Sequence, residues 1–366
     1  MIHIIGAGPA GLFCGKTIRE KDPTTSVVIY EEHDTIGVPI QCTGIVTSEI
    51  ATLVNIPKGC IATKIHAARI HAPNKKYVEI RFAKPDIILY RDKFDQHLEQ
   101  TAKKEGATIK KGWKLTSIKN KTLTFLIKGK KKTIKLQQGD IVIGADGPNS
   151  TVAKDVGLNT HRQAGFGIQV VMRTKHDEKI HFYPYIGSYA WLCPEGVHTA
   201  RIGIDAKTDP KAVFDSFIKN FKGEIIASHS GRIPLFKKGL SKQVRKAGIP
   251  YFLIGDAASQ TKNTTGGGII AGMKAGQLLG ELIAKGKEKE YAKAVWKVEK
   301  HLYLHYLIAK AFQKFTDDDW NELITKFNKK ELKKILAQTN RDNLTRILLR
   351  VILKEPNVLK YIKHLF

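Results

Sequence analysis

Four short, largely apolar runs punctuate the chain: IHII at 2–5, VVIY at 27–30, IVIG at 141–144 and YFLI at 251–254. Each meets a glycine or an acidic residue at its end. A run of that length bounded by turn residues predicts a strand buried on both faces. Behind the first run, Leu12, Phe13 and Ile18 face one side at helical spacing, so a helix should follow the turn directly. Elsewhere the pattern alternates: residues 64–82 (KIHAARIHAPNKKYVEIRF) read as a hairpin about Asn74, and 167–205 as several antiparallel strands. KGKKK at 128–132 reads as a solvated hairpin tip. From about residue 285 the period becomes helical, with a stripe of Leu344, Ile347, Leu348, Val351 and Ile352. After Pro356 a second stripe holds Val358, Leu359, Ile362 and Leu365. Such stripes usually pack into a core; the competing reading is a basic amphipathic face resting on anionic lipid.

At 366 residues the chain exceeds one ordinary domain and can bury a sizeable core. Its four cysteines, Cys14, Cys42, Cys60 and Cys193, are scattered and form no CxxC pair, which argues against a disulfide framework or a metal site and fits a reducing cytosol. The start lacks the pattern of a signal peptide, and no run of about 18 uncharged apolar residues follows. A cytoplasmic protein, at most peripheral on the inner face of the cell membrane, is expected. The net charge of +27 raises nucleic acid, anionic lipid or an acidic protein as partners. Residues 285–366 carry 19 Lys and Arg against 10 Asp and Glu, a net +9, where an even spread would put about +6. Basicity is therefore a general surface property, and no nucleic-acid site is expected.

IHIIGAGPAGLFCGKTIRE places a glycine fingerprint between a strand and a helix, the context in which it binds a dinucleotide. Gly6 permits the sharp turn, Gly8 lets the backbone approach a pyrophosphate, and Gly11 allows close helix packing. Pro9 and Ala10 open the helix, whose N-terminus faces the phosphates. Glu31, at the end of the second strand and 25 residues after Gly6, is placed to accept from an adenosine ribose, in preference to Glu32. NAD and FAD remain open at this point. Two later segments separate them. DIVIGADGPNS (140–150) ends a strand in Gly144, Ala145, Asp146 and Gly147. The segment from Pro250 ends one in Gly255 and Asp256, then carries Gly266, Gly267 and Gly268 into a helix starting at Ile269. A carboxylate after a strand can hold ribityl hydroxyls, and a glycine-rich helix start can aim N–H groups at the flavin pyrimidine edge, where negative charge collects on reduction. NAD needs neither.

GAGPAG, GADGPNS and LIGDA…TGGG, in this order, resemble the three FAD motifs of p-hydroxybenzoate hydroxylase-type flavoproteins over residues 1 to about 285. Pro39, Cys42 and Gly44 in P-x-x-C-x-G, and YAWLCP at 189–194, are similar to elements of the geranylgeranyl reductase family, which includes archaeal digeranylgeranylglycerophospholipid reductases. Arg91, Phe94 and Asp95 match the helix that follows the first substrate-domain hairpin in such proteins, which makes Arg91 a cofactor-side residue. Two departures fall on the substrate side: no acidic residue precedes Gly44, and Cys193 stands where Phe is usual.

The resemblance implies an α/β fold with an α+β substrate layer. A Rossmann-like FAD domain would take 1–62, 91–163 and 249–284, an antiparallel substrate sheet 63–90 and 164–248, and C-terminal helices 285–366. It implies a flavin reductase of isoprenoid double bonds, with a prenyl-lipid substrate and NAD(P)H or a ferredoxin as reductant. Reduction of an unactivated alkene needs a dry pocket, a proton donor and electron-rich walls. Tyr189 and Trp191, two apart on a strand, share one face and suit that duty. Cys42, in the loop expected near the isoalloxazine, is a thiol positioned to tune the flavin or relay the proton. Cys14 reads as packing, and Cys60 has no assignable role. An aromatic monooxygenase of the same fold, and a flavin-binding electron carrier without organic substrate, are the competing readings.

Overall fold

A computed structural model describes residues 1–158, 162–338 and 344–365; the side chains of Ile362 and Leu365 lie outside the described residues. The four apolar runs become the centre of a six-stranded sheet ordered 243–246, 249–253, 141–144, 2–5, 27–30 and 108–110. All its pairings are parallel except the first, between Gln243–Lys246 and Ile249–Leu253. Each run is buried on both faces because helices cover one side and residues 114–136 with 151–158 cover the other. Pro9–Lys21 and Ile269–Ala284 cross on one side, where Gly276 and Gly280 let the second helix ride against Ala10, Cys14 and Thr17. Cys14 lies fully buried at that crossing.

The second sheet has eight strands ordered 224–235, 163–173, 199–206, 189–194, 180–183, 61–71, 77–89 and 45–46. It is mixed, where alternation alone suggested an antiparallel sheet. Ile180–Tyr183 runs parallel to residues 68–70. The chain reaches this strand after building much of the other sheet, so no hairpin forces the two to oppose. Two short strands belong to the other sheet from the one their place in the chain suggested: Ile45–Val46 joins the eight-stranded sheet and Gln243–Lys246 the six-stranded one. A separate meander of 114–119, 122–127 and 130–135 turns at Lys128 and Gly129, both at positive φ as a two-residue hairpin turn requires. The lysines of KGKKK are exposed on it.

The tail forms helices Trp296–Phe312, Asp317–Phe327, Lys330–Gln338 and Leu344–Lys354, the last ending just before Pro356. Ile324, Phe327 and Leu336 pack on Val78 and Ile80 of the hairpin. The tail is thus a wall of the substrate layer. Among the described residues no helix is long and apolar enough to cross a membrane.

Candidate active site

The carboxyl ends of strands 2–5 and 141–144 lie side by side, the switch point at which open α/β sheets bind ligands. Gly6 adopts φ +103° there, and any side chain on it would collide with the Ala145 carbonyl, so the GAGPAG and GADG loops are locked together. Beside this contact, side-chain positions at Gly8 and Gly147 open onto empty space. Glu31 accepts from the Ala7 N–H at 2.9 Å through one oxygen and contacts His33 Nδ1 at 2.6 Å through the other. Glu32 instead pairs with Lys114 at the surface, 2.7 Å away. Asp146 is engaged within its own loop by the Ser150 hydroxyl at 2.6 Å and the Val152 N–H at 3.0 Å, and burial pushes its carboxyl up against those bonds. It sets the loop's shape, leaving backbone groups to face the cavity.

Asp256 follows strand 249–253, and burial raises its carboxyl while Arg91 and Thr261 pull the other way. Arg91, at the start of helix Arg91–Lys104, forks onto Asp95 at 3.0 and 2.7 Å. Gly266 to Gly268 carry the chain into helix Ile269–Ala284 and line the same cavity. Backbone donors at a helix start, open space at two glycines and buried carboxylates fit an FAD.

One cavity of about 1460 Å³ joins these loops to the substrate layer. Tyr189, Trp191 and Cys193 line it from one strand face, while Ala190 and Leu192 pack into the core on the other. Phe182, Tyr189 and Trp191 form an aromatic floor with ring centroids 5.7 and 5.8 Å apart. The Tyr189 hydroxyl occupies the space that a side chain on Gly266 would need, which brings it to the TGGG loop. Among the described residues, neither that hydroxyl nor Trp191 Nε1 has a hydrogen-bond partner. Burial first, then Asp205 and Cys42, push the Tyr189 phenol well above its ordinary range. Burial likewise pushes the Cys193 thiol up to about 12. Cys42 lines the cavity near Arg91, its sulfur accepting from the Gly44 N–H at 3.3 Å.

Sequence reasoning missed what holds Cys42 in place. Arg201, 2% exposed, donates to the carbonyls of Cys42 at 2.7 Å and Thr43 at 3.0 Å and pairs with Glu195. Gln169 accepts from the Thr43 hydroxyl at 2.6 Å. Asp205, fully buried, stands opposite Tyr189 on the neighbouring strand. A signal existed: in TARIGIDA, Arg201, Gly203 and Asp205 alternate with Ile202 and Ile204, marking a polar face inside an otherwise buried strand.

The far end of the cavity is apolar. Ile70, Ile80 and Phe82 from the hairpin face Ile308, Phe312, Leu348 and Val351 from the tail helices. The predicted stripe on helix Leu344–Lys354 therefore looks into the cavity. Leu349 and Leu353, 59% and 78% exposed, stand outside it.

A family model described as an FAD binding domain matches residues 1–293. The chain is 30% identical to digeranylgeranylglycerophospholipid reductase 3 of Methanosphaera stadtmanae, over 96% of this chain and 95% of that protein. This chain belongs to the geranylgeranyl reductase family of FAD-dependent oxidoreductases. FAD is its cofactor. A second member of that family, digeranylgeranylglycerophospholipid reductase of Methanothrix thermoacetophila, is 27% identical over all of this chain and 98% of its own length. In fold the chain is similar to a geranylgeranyl bacteriochlorophyll reductase-like protein from Thermoplasma acidophilum, with a TM-score of 0.83 at 22% identity over 100% and 98% of the two chains. A flavin-dependent brominase shares the fold more loosely, with a TM-score of 0.70 at 16% identity over 98% of this chain.

Proposed function

We propose that this member of the reductase family saturates isoprenoid C=C bonds of geranylgeranyl chains carried on an archaeal-type membrane lipid or a prenyl diphosphate. The observation that carries the reading is the single cavity that starts at the dinucleotide loops, passes Tyr189 and Trp191, and ends between apolar helices. A hydroxylase of small phenols has no use for that extension, and an electron carrier has no use for an apolar channel at all. Reduced FAD supplies the hydride when bound. The residues of this chain do the rest. Apolar walls align an extended chain and exclude water, and the aromatic floor lends electron density to a carbon that gains positive character as a proton arrives, worth about 0.5 to 2 kcal/mol. Tyr189 and Cys42 present O–H and S–H groups at the flavin end as the proton sources.

The basic, amphipathic helix Leu344–Lys354, with Leu349 and Leu353 outward and Arg346, Arg350 and Lys354 between, would rest the channel mouth on an anionic lipid surface. The test of the function begins with holoprotein reduced by dithionite. On adding geranylgeranylated lipid, flavin absorbance should return and the lipid should gain two hydrogens per reduced bond. Unaltered lipid, together with phenol-stimulated NADPH oxidation, would replace this reading by hydroxylation. Cys42→Ser and Cys42→Ala should slow single turnover, and unchanged rates would remove the thiol from the mechanism.

A further inference from the structure

Between Asp256 and the glycines 266–268 runs a polar stretch, QTKNTT at 260–265, that none of the roles above uses. A connection of that composition ordinarily lies in water. Here Gln260 and Thr261 are almost wholly buried. The Gln260 amide is split between two partners: Oε1 accepts from the Gly255 N–H at 2.7 Å, and Nε2 donates to Glu299 at 3.2 Å. Glu299 is itself buried, on tail helix Trp296–Phe312, and its other carboxylate oxygen takes the buried Lys242 ammonium at 2.9 Å. Asn263 bonds the Phe236 backbone twice, accepting at 2.8 Å and donating at 3.0 Å, just past substrate-sheet strand Glu224–Leu235. The Thr264 hydroxyl meets Nδ1 of His305, on the same tail helix, at 2.6 Å. One short stretch is thus bonded to the cofactor loop behind it, the substrate sheet beside it and the tail helix over it.

Apolar packing alone would hold the helix down. A buried Lys–Glu pair adds little stability over apolar residues of the same volume. What it adds is direction, because these bonds are all made in only one register of helix on loop. From Glu299 to Phe312 the helix covers about 20 Å. His301, His305, Ile308 and Phe312 line the cavity along it, while Gly255, Asp256 and Gly266 to Gly268 line the same cavity from the loop. Slippage by one residue would move that wall by about 1.5 Å along the helix. Misplacement of reacting groups by about 1 Å already costs rate heavily.

We propose that Gln260, Thr264, Glu299 and His305 are positioning residues that tie the cofactor loop to the tail helix, so that FAD and a prenyl chain each tighten the binding of the other. The inference rests on the alkene-reductase reading above for the ligand in the channel, but not for the link between loop and helix. A loop held by bound FAD holds the helix through Gln260 and Thr264, and the cost of ordering the channel wall is met before the chain enters. Linkage then requires the chain to strengthen FAD binding by the same factor.

Hydrogen exchange of the full-length protein, with and without FAD and with no lipid present, tests the link by itself. FAD should slow exchange of the amides in Trp296–Phe312 by about tenfold or more. Most of that slowing should be lost in Thr264→Val, which removes a hydroxyl at constant volume. It should also be lost when Lys242→Met and Glu299→Met are combined, a change that replaces the buried pair with apolar volume and leaves Tm near its native value. Thr264→Ser should keep it. No slowing in the native chain, or equal slowing in Thr264→Val and the double variant, overturns the proposal. Geranylgeranylated lipid should lower the Kd for FAD by about fivefold or more in the native chain and leave it unchanged in both variants. Lipid that binds without moving that Kd, or tightening that survives in the variants, also overturns it. Lipid that does not bind the native holoprotein counts against the substrate class alone, and the exchange rates then decide whether the loop holds the helix.

Discussion

The two ends of the cavity are built from different materials. At the cofactor end the work falls to backbone: three strand-to-helix loops meet, the missing side chains at Gly8 and Gly147 leave open space, and Glu31 and Asp146 use their carboxylates to brace the loops. At the substrate end the work falls to side-chain volume, from one face of a curled sheet and four tail helices. Backbone recognition tolerates few residues at each point. A greasy wall tolerates any combination that fills the same volume. The comparison predicts that substitutions at the first end abolish the holoprotein, whereas those at the second change what it accepts.

Gly6→Ala should break the cofactor end outright. The residue sits at φ +103°, and the added methyl would overlap the Ala145 carbonyl, a backbone atom that cannot step aside without moving both loops. Purified protein should be colourless and fail to take up added FAD; a yellow Gly6→Ala protein would show that the loops are not locked as described. Arg201→Met is the next largest change and tests the seam between the ends. It strands the buried Glu195 carboxylate and releases the Cys42 and Thr43 carbonyls, at a cost of about 3 to 5 kcal/mol. A fall in Tm with FAD still bound is the expected result. Unchanged stability would mean that another group anchors the cysteine loop.

The same contrast explains what the sequence made legible. GAGPAG, GADGPNS and TGGG could be read because glycine is nearly the only residue that meets their backbone demands, so strand, turn and helix were placed before any contact was known. Tyr189 and Trp191 were singled out mainly by the resemblance of YAWLCP to an element of the geranylgeranyl reductase family, and their spacing on a strand puts them on one face, which lines the cavity. Arg201, Gln169 and Asp205 were not found. Their importance comes from partners 159 residues away, as for Arg201 and Cys42, and from a sheet register that local pattern does not encode. The parallel pairing of Ile180–Tyr183 was missed for the same reason, since it depends on where the chain re-enters the sheet. The stripe on Leu344–Lys354 was visible, but periodicity cannot say whether a stripe faces core, lipid or cavity.

A third, smaller effect separates the buried carboxyl from its neighbours by pH. In the unfolded chain Asp205 titrates near 3.8, and in the folded chain near 6, so between these values the native state holds the extra proton and stability falls as pH rises. The full penalty for that rise, about 3 kcal/mol, is present above pH 6 and absent below about 4. Asp205→Asn should remove that slope. Denaturant unfolding at pH 4 and pH 8 should give a difference between native and variant stabilities that changes by about this amount, with the variant relatively better off at pH 8. A constant difference would mean that the carboxyl is solvated in the native state.

The mildest change bears on the apolar end. Leu348 is partly buried on the cavity side of helix Leu344–Lys354, and Leu348→Trp would add an indole to the channel. Overpacking of this kind costs about 1 to 3 kcal/mol where the surroundings are rigid, and less here because the added ring can point into open cavity. Flavin content and Tm should therefore stay near native values. What should change is reach: a ring across the passage shortens the chain that can pass the tail helices, so long prenyl lipids should lose kcat/KM by about tenfold, while a short allylic isoprenoid held next to Tyr189 keeps its rate. Equal losses for long and short substrates would place the obstruction at the flavin and remove the distinction between the two ends. A loss confined to long chains would mean that the tail helices measure the substrate, a role that needs only the volume these side chains leave empty.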